Sequence, residues 1–195
     1  MIVLVTGGAR SGKSTFAEKY ATHLGETGIY IATAQAFDEE MRERIARHRA
    51  RRQQSGFLWE TVEEPYALAD VIRSLQQRDE FKQNQTVVLV DCLIVWLSNW
   101  LIRHEQEQAV ERTLAHVDEL IAALQHFPGT ILFVTNEVGD GLVPEYSLGR
   151  MFRDLAGLMN QRMAAAADQV FLLTAGIPLE IKSKAFRFLE GEKTV

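Results

Sequence analysis

Apolar residues cluster along the chain in two kinds of segment, which differ in length and spacing. Short, almost uninterrupted apolar runs are typical of buried strands, whereas longer stretches with apolar residues at helical spacing are typical of amphipathic helices. Strands are predicted over 2–5, 29–33, 59–62, 86–90, 130–135 and 169–174. Helices are predicted over 13–24, 38–52, 66–77, 93–103, 108–125 and 151–166. The C-terminal tail is charged and has little pattern.

The strand segments are apolar on both faces, as TVVLV over 86–90 and TILFVT over 130–135 illustrate. Strands of this kind belong in a parallel sheet that helices cover on both sides. The sequence has neither an internal repeat nor an obvious linker. We therefore predict a single α/β domain with a mostly parallel sheet over 1–182, followed by a charged tail over 183–195.

The first strand segment leads into a glycine-rich turn, GGARSGKS, which fits G-x-x-x-x-G-K-[ST] without a mismatch. Such a loop points successive backbone N–H groups at a phosphate, beside the positive N-terminal end of a helix. Lys13 would reach the β- and γ-phosphates, and the Ser14 hydroxyl would ligate Mg²⁺. The predicted phosphate-binding residues are Gly7, Gly8, Ala9, Arg10, Ser11, Gly12, Lys13 and Ser14. A turn that only joins a strand to a helix is the alternative, but the position after an N-terminal apolar strand favours a P-loop NTPase-like (RecA-like) fold.

Polar residues follow two other predicted core strands. Asp91 closes TVVLVD, the position at which P-loop proteins hold Mg²⁺ with a carboxylate. Asp91 would also suit a helix N-cap, although the strand end favours the metal role. Asn136 and Glu137 follow the strand at 130–135 and are candidates for the site wall, because ligands bind outside the carboxyl ends of parallel strands. A simple turn at these two residues is an equally good interpretation.

The helical segment over 38–52, DEEMRERIARHRARR, is acidic at its start and basic at its end. His48 shares one helical face with Met41, Ile45 and Arg52, which follow the spacing i, i+4, i+7 and i+11. The simple interpretation is an exposed charged helix with one partly packed histidine. The alternative is an anion site, in which the His48 imidazole is a nucleophile and the arginines bind the phosphate that it attacks.

Composition narrows the choice of partner. The formal net charge is -5, so no global basic field attracts nucleic acid or an anionic membrane. Cys92 is the only cysteine, which excludes an intramolecular disulfide and a cysteine metal cluster. No apolar stretch reaches roughly 18 residues, and the N-terminal apolar run is short for a secretory signal. We therefore expect a cytoplasmic protein without a membrane span and without a nucleic-acid partner.

Six sequence blocks, in order along the chain, resemble one enzyme family. They are VTGGARSGKS, YIATAQ, D-E-E-M-x-x-R-I-x-x-H, VDCL, VTNEVGDGLVPE and FRDLAGLMNQRMAAAADQVFLL. The chain resembles the bifunctional adenosylcobinamide kinase/adenosylcobinamide-phosphate guanylyltransferases of cobalamin synthesis. This resemblance implies that ATP or GTP phosphorylates the aminopropanol hydroxyl of adenosylcobinamide. It further implies that GTP guanylylates a histidine, which passes GMP to the cobinamide phosphate and gives adenosyl-GDP-cobinamide.

The resemblance also implies roles for particular residues. His48, the only histidine in the matching helix, would be the nucleophile, with Lys13 as a second catalytic residue. Nucleotide contacts beyond the glycine loop would come from Thr33, Ala34, Gln35, Arg49, Ala50, Arg51, Arg52, Glu63 and Asp91. Mg²⁺, held by Ser14 and Asp91, would be the cofactor, and GTP and ATP would be substrates. The implied partners are adenosylcobinamide and its phosphate, and the implied assembly is a homotrimer.

The chain departs from the family pattern in a few places. Ile94 stands where a threonine often follows D-C-L, Leu158 stands where an arginine often follows A-G, and 52–57 is a slightly longer connection. These departures bear on the corrinoid contacts and on the balance of the two activities. A P-loop small-molecule kinase with a structural His48, or a GTP-dependent regulatory binding protein, is the alternative function. The apolar helix at 93–103 would serve a core or a subunit interface, of which the core is the simpler choice.

Overall fold

The computed structural model describes residues 1–36, 39–81 and 85–186. Within these residues one seven-stranded sheet has the order β3-β2-β4-β5-β1-β6-β7. Its strands are β1 (Ile2–Gly7), β2 (Thr27–Ala32), β3 (Leu58–Glu63), β4 (Thr86–Asp91), β5 (Thr130–Val134), β6 (Gln169–Thr174) and β7 (Ile177–Glu180). The pairing is parallel except between β6 and β7. The prediction of one α/β domain with a mostly parallel sheet is confirmed.

Helices lie between the strands in the order that the sequence predicts. They are α1 (Lys13–Leu24), α2 (Glu39–Gln54), α3 (Leu68–Leu75), α4 (Leu93–Arg103), α5 (Ala109–Leu124) and α6 (Ser147–Ala166). Short 3₁₀ turns cover Asp79–Phe81 and Lys182–Lys184. Asp38, which belongs to the second predicted helix, and residues 187–195 of the predicted tail lie outside the described residues.

The central strands β1, β2, β4 and β5 are buried on both faces, which explains why they are largely apolar, whereas the edge strands β3 and β7 are mostly exposed. On one face, α3, α4, α5 and α6 pack through residues such as Ile72, Leu97, Val117 and Met159. On the other face, α1 packs through Ala17 and other small or aromatic side chains. Within α4, the large side chains of Trp96, Leu97 and Leu101 are buried, so the core interpretation of this helix is confirmed for them.

The register places the carboxyl ends of five strands in one row. Glu63, Ala32, Asp91 and Val134 are successive partners across β3, β2, β4 and β5, and Val5 of β1 follows. The segments that leave this edge include the glycine loop after β1, the residues from Thr33 after β2, the start of α4 after β4, and Asn136 after β5. Because β5 lies between β4 and β1, Asp91 is two strands away from the strand that feeds the glycine loop.

Candidate active site

The glycine loop joins β1 to α1 through backbone conformations that favour glycine. Gly7 and Gly12 have φ angles of +145° and +95°, and a Cβ at Gly7 would collide with the carbonyl oxygen of Leu173. Arg10 also has a positive φ, 56°, and it is exposed together with Gly8. The sequence GGARSGKS therefore forms the loop of a strand–loop–helix unit, in which β1 ends at Gly7 and α1 begins at Lys13.

The Lys13 side chain is folded back over this loop. Its ammonium donates to the carbonyl oxygen of Gly8 at 2.5 Å and to the hydroxyl of Ser11 at 3.4 Å, and the residue is only 7% exposed. Ser14 lies beside it in the first turn of α1 and is partly exposed. A charged amine and a hydroxyl thus lie at the N-terminal end of a helix, where an anionic ligand is favoured.

Glu137 and Asn136 lie against the strand that feeds the glycine loop. The Glu137 carboxylate accepts hydrogen bonds from the hydroxyl of Thr6 at 2.5 Å and from the amide of Asn160 at 3.3 Å. The backbone N–H of Glu137 donates to the carbonyl oxygen of Gly7 at 3.1 Å. Sequence reasoning missed Thr6 and Asn160, because their contribution depends on packing between β1, β5 and α6.

Asp91, at the end of β4, is paired with Tyr30 of β2. The Tyr30 hydroxyl donates to Asp91 Oδ2 at 3.0 Å, while Oδ1 has no hydrogen-bond partner among the described residues. Burial raises the pKa of Tyr30, and the negative charge of Asp91 raises it further, so this hydroxyl keeps its proton at neutral pH. Sequence reasoning missed Tyr30, although it stands at the head of the YIATAQ block.

The segment after β2 carries three predicted nucleotide contacts, of which one is fully buried. The Thr33 hydroxyl donates to the carbonyl oxygen of Cys92 at 2.8 Å and accepts the Cys92 N–H at 3.0 Å. Asn99 donates to the Thr33 carbonyl oxygen at 3.0 Å. Thr33 therefore joins β2 to the start of α4, whereas Ala34 and Gln35 are partly exposed at the sheet edge.

The basic end of α2 is held by three arginines, each of which contacts a different element. Arg49 forms an ion pair with Glu63 at the end of β3. Arg51 makes a two-pronged contact with Glu18 of α1, at 2.9 and 2.7 Å, and also donates to the Thr15 hydroxyl at 2.6 Å. Arg49 and Ala50 remain exposed, as the interpretation of α2 as an exposed charged helix expects, whereas the contact with α1 leaves Arg51 partly buried.

Arg52 provides the third contact, and it is the most buried. Its guanidinium carbon lies 3.5 Å from the centroid of the Tyr30 ring, and the residue is 5% exposed. Its Nη1 atom is buried and has no hydrogen-bond partner among the described residues. A buried, charged donor without a partner is costly, so it points to an anionic ligand at this position.

These groups border a pocket of about 70 Å³ between α2 and the carboxyl edge of the sheet. His48, Arg49, Arg52 and Asp91 line it, together with Tyr30, Ala32, Ala34, Met41, Ile45, Cys92 and Val95. A wider hollow of about 550 Å³ shares Arg49 and Arg52 with this pocket, and it is also bordered by Phe57, Trp59 and Glu63. The structure thus brings His48 together with Asp91 and the buried arginine, whereas the residues of the glycine loop do not line this pocket.

The strand–loop–helix unit and its buried lysine, at the carboxyl edge of a parallel sheet, define a P-loop nucleotide-binding protein. The family described as "Cobinamide kinase / cobinamide phosphate guanyltransferase" matches residues 3–181. The chain belongs to this family.

Named relatives agree with the family. The chain is 41% identical over 191 residues to the bifunctional adenosylcobalamin biosynthesis protein CobU of Escherichia coli K12, covering 93% of this chain and 100% of that protein. It is also 41% identical over 181 residues to the bifunctional adenosylcobalamin biosynthesis protein CobP of Pseudomonas aeruginosa, covering 93% and 97%. The CobU protein of Salmonella typhimurium is similar at 41% over 191 residues.

Two solved structures resemble the fold at low sequence identity. The KaiC-like protein PH0186 of Pyrococcus horikoshii OT3 has a TM-score of 0.47 and 16% identity, over 88% of this chain and 69% of that one. The RadB recombinase has a TM-score of 0.47 and 17% identity, over 88% and 73%. Both similarities concern the course of the backbone only. Among the described residues, no helix has the length and apolar content needed to cross a membrane.

Proposed function

We propose that this chain phosphorylates the hydroxyl of adenosylcobinamide with ATP or GTP and then transfers GMP from GTP to the phosphorylated product. The single observation that supports the second reaction most strongly is the pocket in which His48 lies with Asp91 and the unsatisfied guanidinium of Arg52. A nucleophile beside a partly exposed carboxylate and a buried cation suits attack on a phosphorus atom. Membership of the family supports both reactions.

In the kinase step, the backbone N–H groups of the glycine loop and the Lys13 ammonium hold the triphosphate. We assign Mg²⁺ to Ser14 and Asp91, because a hydroxyl and a carboxylate are the oxygen ligands that Mg²⁺ prefers. The carboxylate fits this role since its Oδ1 has no partner among the described residues. When bound, Mg²⁺ neutralises charge on the phosphate oxygens during transfer. The oxygen of the substrate hydroxyl attacks the γ-phosphorus and its proton passes to the solvent, while the bond from the γ-phosphorus to the bridging oxygen breaks and the nucleoside diphosphate leaves.

In the transfer step, a ring nitrogen of neutral His48 attacks the α-phosphorus of GTP. The bond between the α-phosphorus and the bridging oxygen breaks, pyrophosphate leaves, and GMP remains on the imidazole as a phosphoramidate. A phosphate oxygen of the cobinamide phosphate then displaces the imidazole, which regains its neutral form. Arg49 and Arg52 bind the phosphates. In this proposal the nucleotide site is completed by Thr33 to Gln35, Ala50, Arg51 and Glu63.

We place the catalytic domain at 1–182 and the charged tail at 183–195, and we propose a cytoplasmic homotrimer. Sedimentation of the purified protein tests the assembly, because a trimer has three times the chain mass of 22.0 kDa.

Incubation with GTP labelled at the α-phosphate tests the histidine. We expect wild type to take up an acid-labile, base-stable label, and His48→Asn to lose it while it keeps most kinase activity. His126→Asn is the matched control, because His126 is exposed and lies outside the pocket. A label that survives in His48→Asn contradicts the assignment. A wild type that takes up no label while its kinase is active indicates a simple P-loop kinase. GTP turnover that does not change when cobinamide is added indicates a regulatory GTP-binding protein.

A further inference from the structure

Tyr30 contacts two functional groups that come from different elements. It lies on β2, which pairs with β4 on one side and β3 on the other, and it is 4% exposed. Its hydroxyl donates to Asp91 at the end of β4, and its ring lies beneath the guanidinium of Arg52 from α2. The two contacts use separate parts of one side chain, so they are separable by substitution.

The hydroxyl contact fixes the carboxylate of Asp91. The hydrogen bond of 3.0 Å engages Oδ2 and leaves Oδ1 without a partner among the described residues. Carboxylates that ligate metal ions are commonly held by a hydrogen bond of this kind, and loss of such an outer contact lowers metal affinity by about 10–100-fold. The Tyr30 hydroxyl holds the Asp91 carboxylate in this way, and the Oδ1 atom of that carboxylate is the oxygen that we assign to Mg²⁺.

The ring contact fixes the guanidinium of Arg52. No carboxylate forms an ion pair with Arg52 among the described residues, and its buried Nη1 has no hydrogen-bond partner there. The face of the aromatic ring attracts the cation without using any of its N–H groups. The N–H groups therefore remain available to an anion in the pocket that both residues line.

We propose that Tyr30 is a positioning residue for the nucleotide, which acts through Asp91 on the metal and through Arg52 on the phosphates. This inference rests on the proposed function, in which both groups bind one Mg²⁺–nucleotide complex. The two parts of the Tyr30 side chain then have separate roles, since the hydroxyl positions the metal ligand and the ring positions the phosphate-binding guanidinium.

Calorimetric binding of the α,β-methylene analogue of GTP, which cannot release pyrophosphate, separates the two roles. For Tyr30→Phe, we expect the tightening of analogue binding by Mg²⁺ to fall by about tenfold, with metal-free affinity within about twofold of wild type. For Tyr30→Leu, we expect the affinity measured without Mg²⁺ to be roughly tenfold weaker than that of Tyr30→Phe, because Arg52 loses the ring beneath it. Tyr20→Phe is the matched control, since that hydroxyl donates to Gln169 at 2.8 Å outside the pocket.

The readout distinguishes positioning from a general structural role. If Tyr30→Phe weakens analogue binding equally with and without Mg²⁺, or leaves the effect of Mg²⁺ unchanged, the inference is overturned. Thermal melting shows whether each variant folds, and the Tyr30→Phe arm decides the matter if Tyr30→Leu does not fold. The experiment needs no guanylyl transfer, so a wild type that takes up no label from GTP defeats the proposed transferase and leaves this binding test intact.

Discussion

Gly7 has both a backbone conformation and a neighbour that exclude a side chain. Its φ is +145°, and it pairs with Leu173 of β6, whose carbonyl oxygen occupies the place of a Cβ. We expect Gly7→Ala to lower the free energy of unfolding by roughly 2–4 kcal/mol, from the strained backbone together with the collision. Urea unfolding of wild type and of Gly7→Ala measures this difference in the free energy of unfolding.

Gly8 provides the control for that substitution within the same loop. A Cβ at Gly8 would meet no heavy atom within 4 Å. The free energy of unfolding of Gly8→Ala should therefore lie within about 0.5 kcal/mol of the wild-type value, as is usual for exposed substitutions. Equal stability of the two variants would show that the loop relaxes around Gly7.

Single residues also show what the sequence could predict about the site. Lys13, Ser14 and Asp91 were predictable because a motif or a strand end determines their position. Tyr30 and Asn160 were not, because one acts across paired strands and the other across a helix–strand contact. Nothing local in the sequence specifies either contact.

At the scale of elements, the arginine-rich helix α2 has two kinds of contact. One face lines the pocket with His48, and another face is held on α1 by Arg51. Charge patterning predicted the helix and its polarity, but it could not predict that the arginines bind acidic partners on separate elements or stack on a tyrosine. Such partners are distant in sequence and become neighbours only in the folded sheet.

The contact between Arg51 and Glu18 gives a prediction for this helix. Glu18 is 12% exposed at its side chain and lies outside both pockets, so Glu18→Gln weakens the α1–α2 contact without removing a predicted nucleotide ligand. We expect guanylyl labelling to fall about 3–10-fold and kinase activity to stay within about twofold, since a small displacement of a nucleophile is costly. Asp118→Asn, which breaks the exposed pair with Arg162, should change neither. A parallel loss of both activities would refute the separate role of α2.

Strand β7 is an element that the sequence pattern did not predict. It pairs antiparallel with β6, contains Pro178 and is largely exposed, so it shows neither an apolar run nor a clear alternation. Element boundaries elsewhere moved by a few residues, as where α6 begins at Ser147 instead of residue 151. Periodicity reports burial, so it locates core strands well but gives no signal for an exposed strand such as β7.

Glu180, at the end of β7, gives that edge a pH dependence. Hydrogen bonds from Ser183, and from the backbone N–H groups of Val170 and Lys182, lower the pKa of its carboxyl from 4.5 to about 2. The folded state therefore gains stability above pH 4.5 that is lost as the pH falls toward 2. We expect the melting temperature of Glu180→Gln to lie below that of wild type at pH 7. The two melting temperatures should converge as the pH falls toward 2. Melting curves that remain equally separated at every pH would contradict this origin.

At the scale of the whole molecule, the strand order separates the two parts of the proposed site. Because β5 lies between β4 and β1, the glycine loop and the His48 pocket occupy different stretches of one carboxyl edge. One GTP would serve both parts if its triphosphate lay on the loop and its α-phosphorus reached the pocket. Two nucleotides would be needed if the His48 pocket and its wider hollow formed an independent site.

Lys13→Ala decides between one shared nucleotide and two. If one triphosphate serves both reactions, loss of the ammonium from the loop removes kinase activity and guanylyl labelling together, each by at least about 100-fold, because the same charge stabilises both transfers. Lys19→Ala, an exposed lysine on the same helix, should leave both intact. Near-normal labelling in Lys13→Ala would mean that His48 draws its GTP from a site of its own. Arg49 and Arg52, which border both the pocket and the hollow, would then be the residues to alter next, since their loss would abolish labelling and spare the kinase.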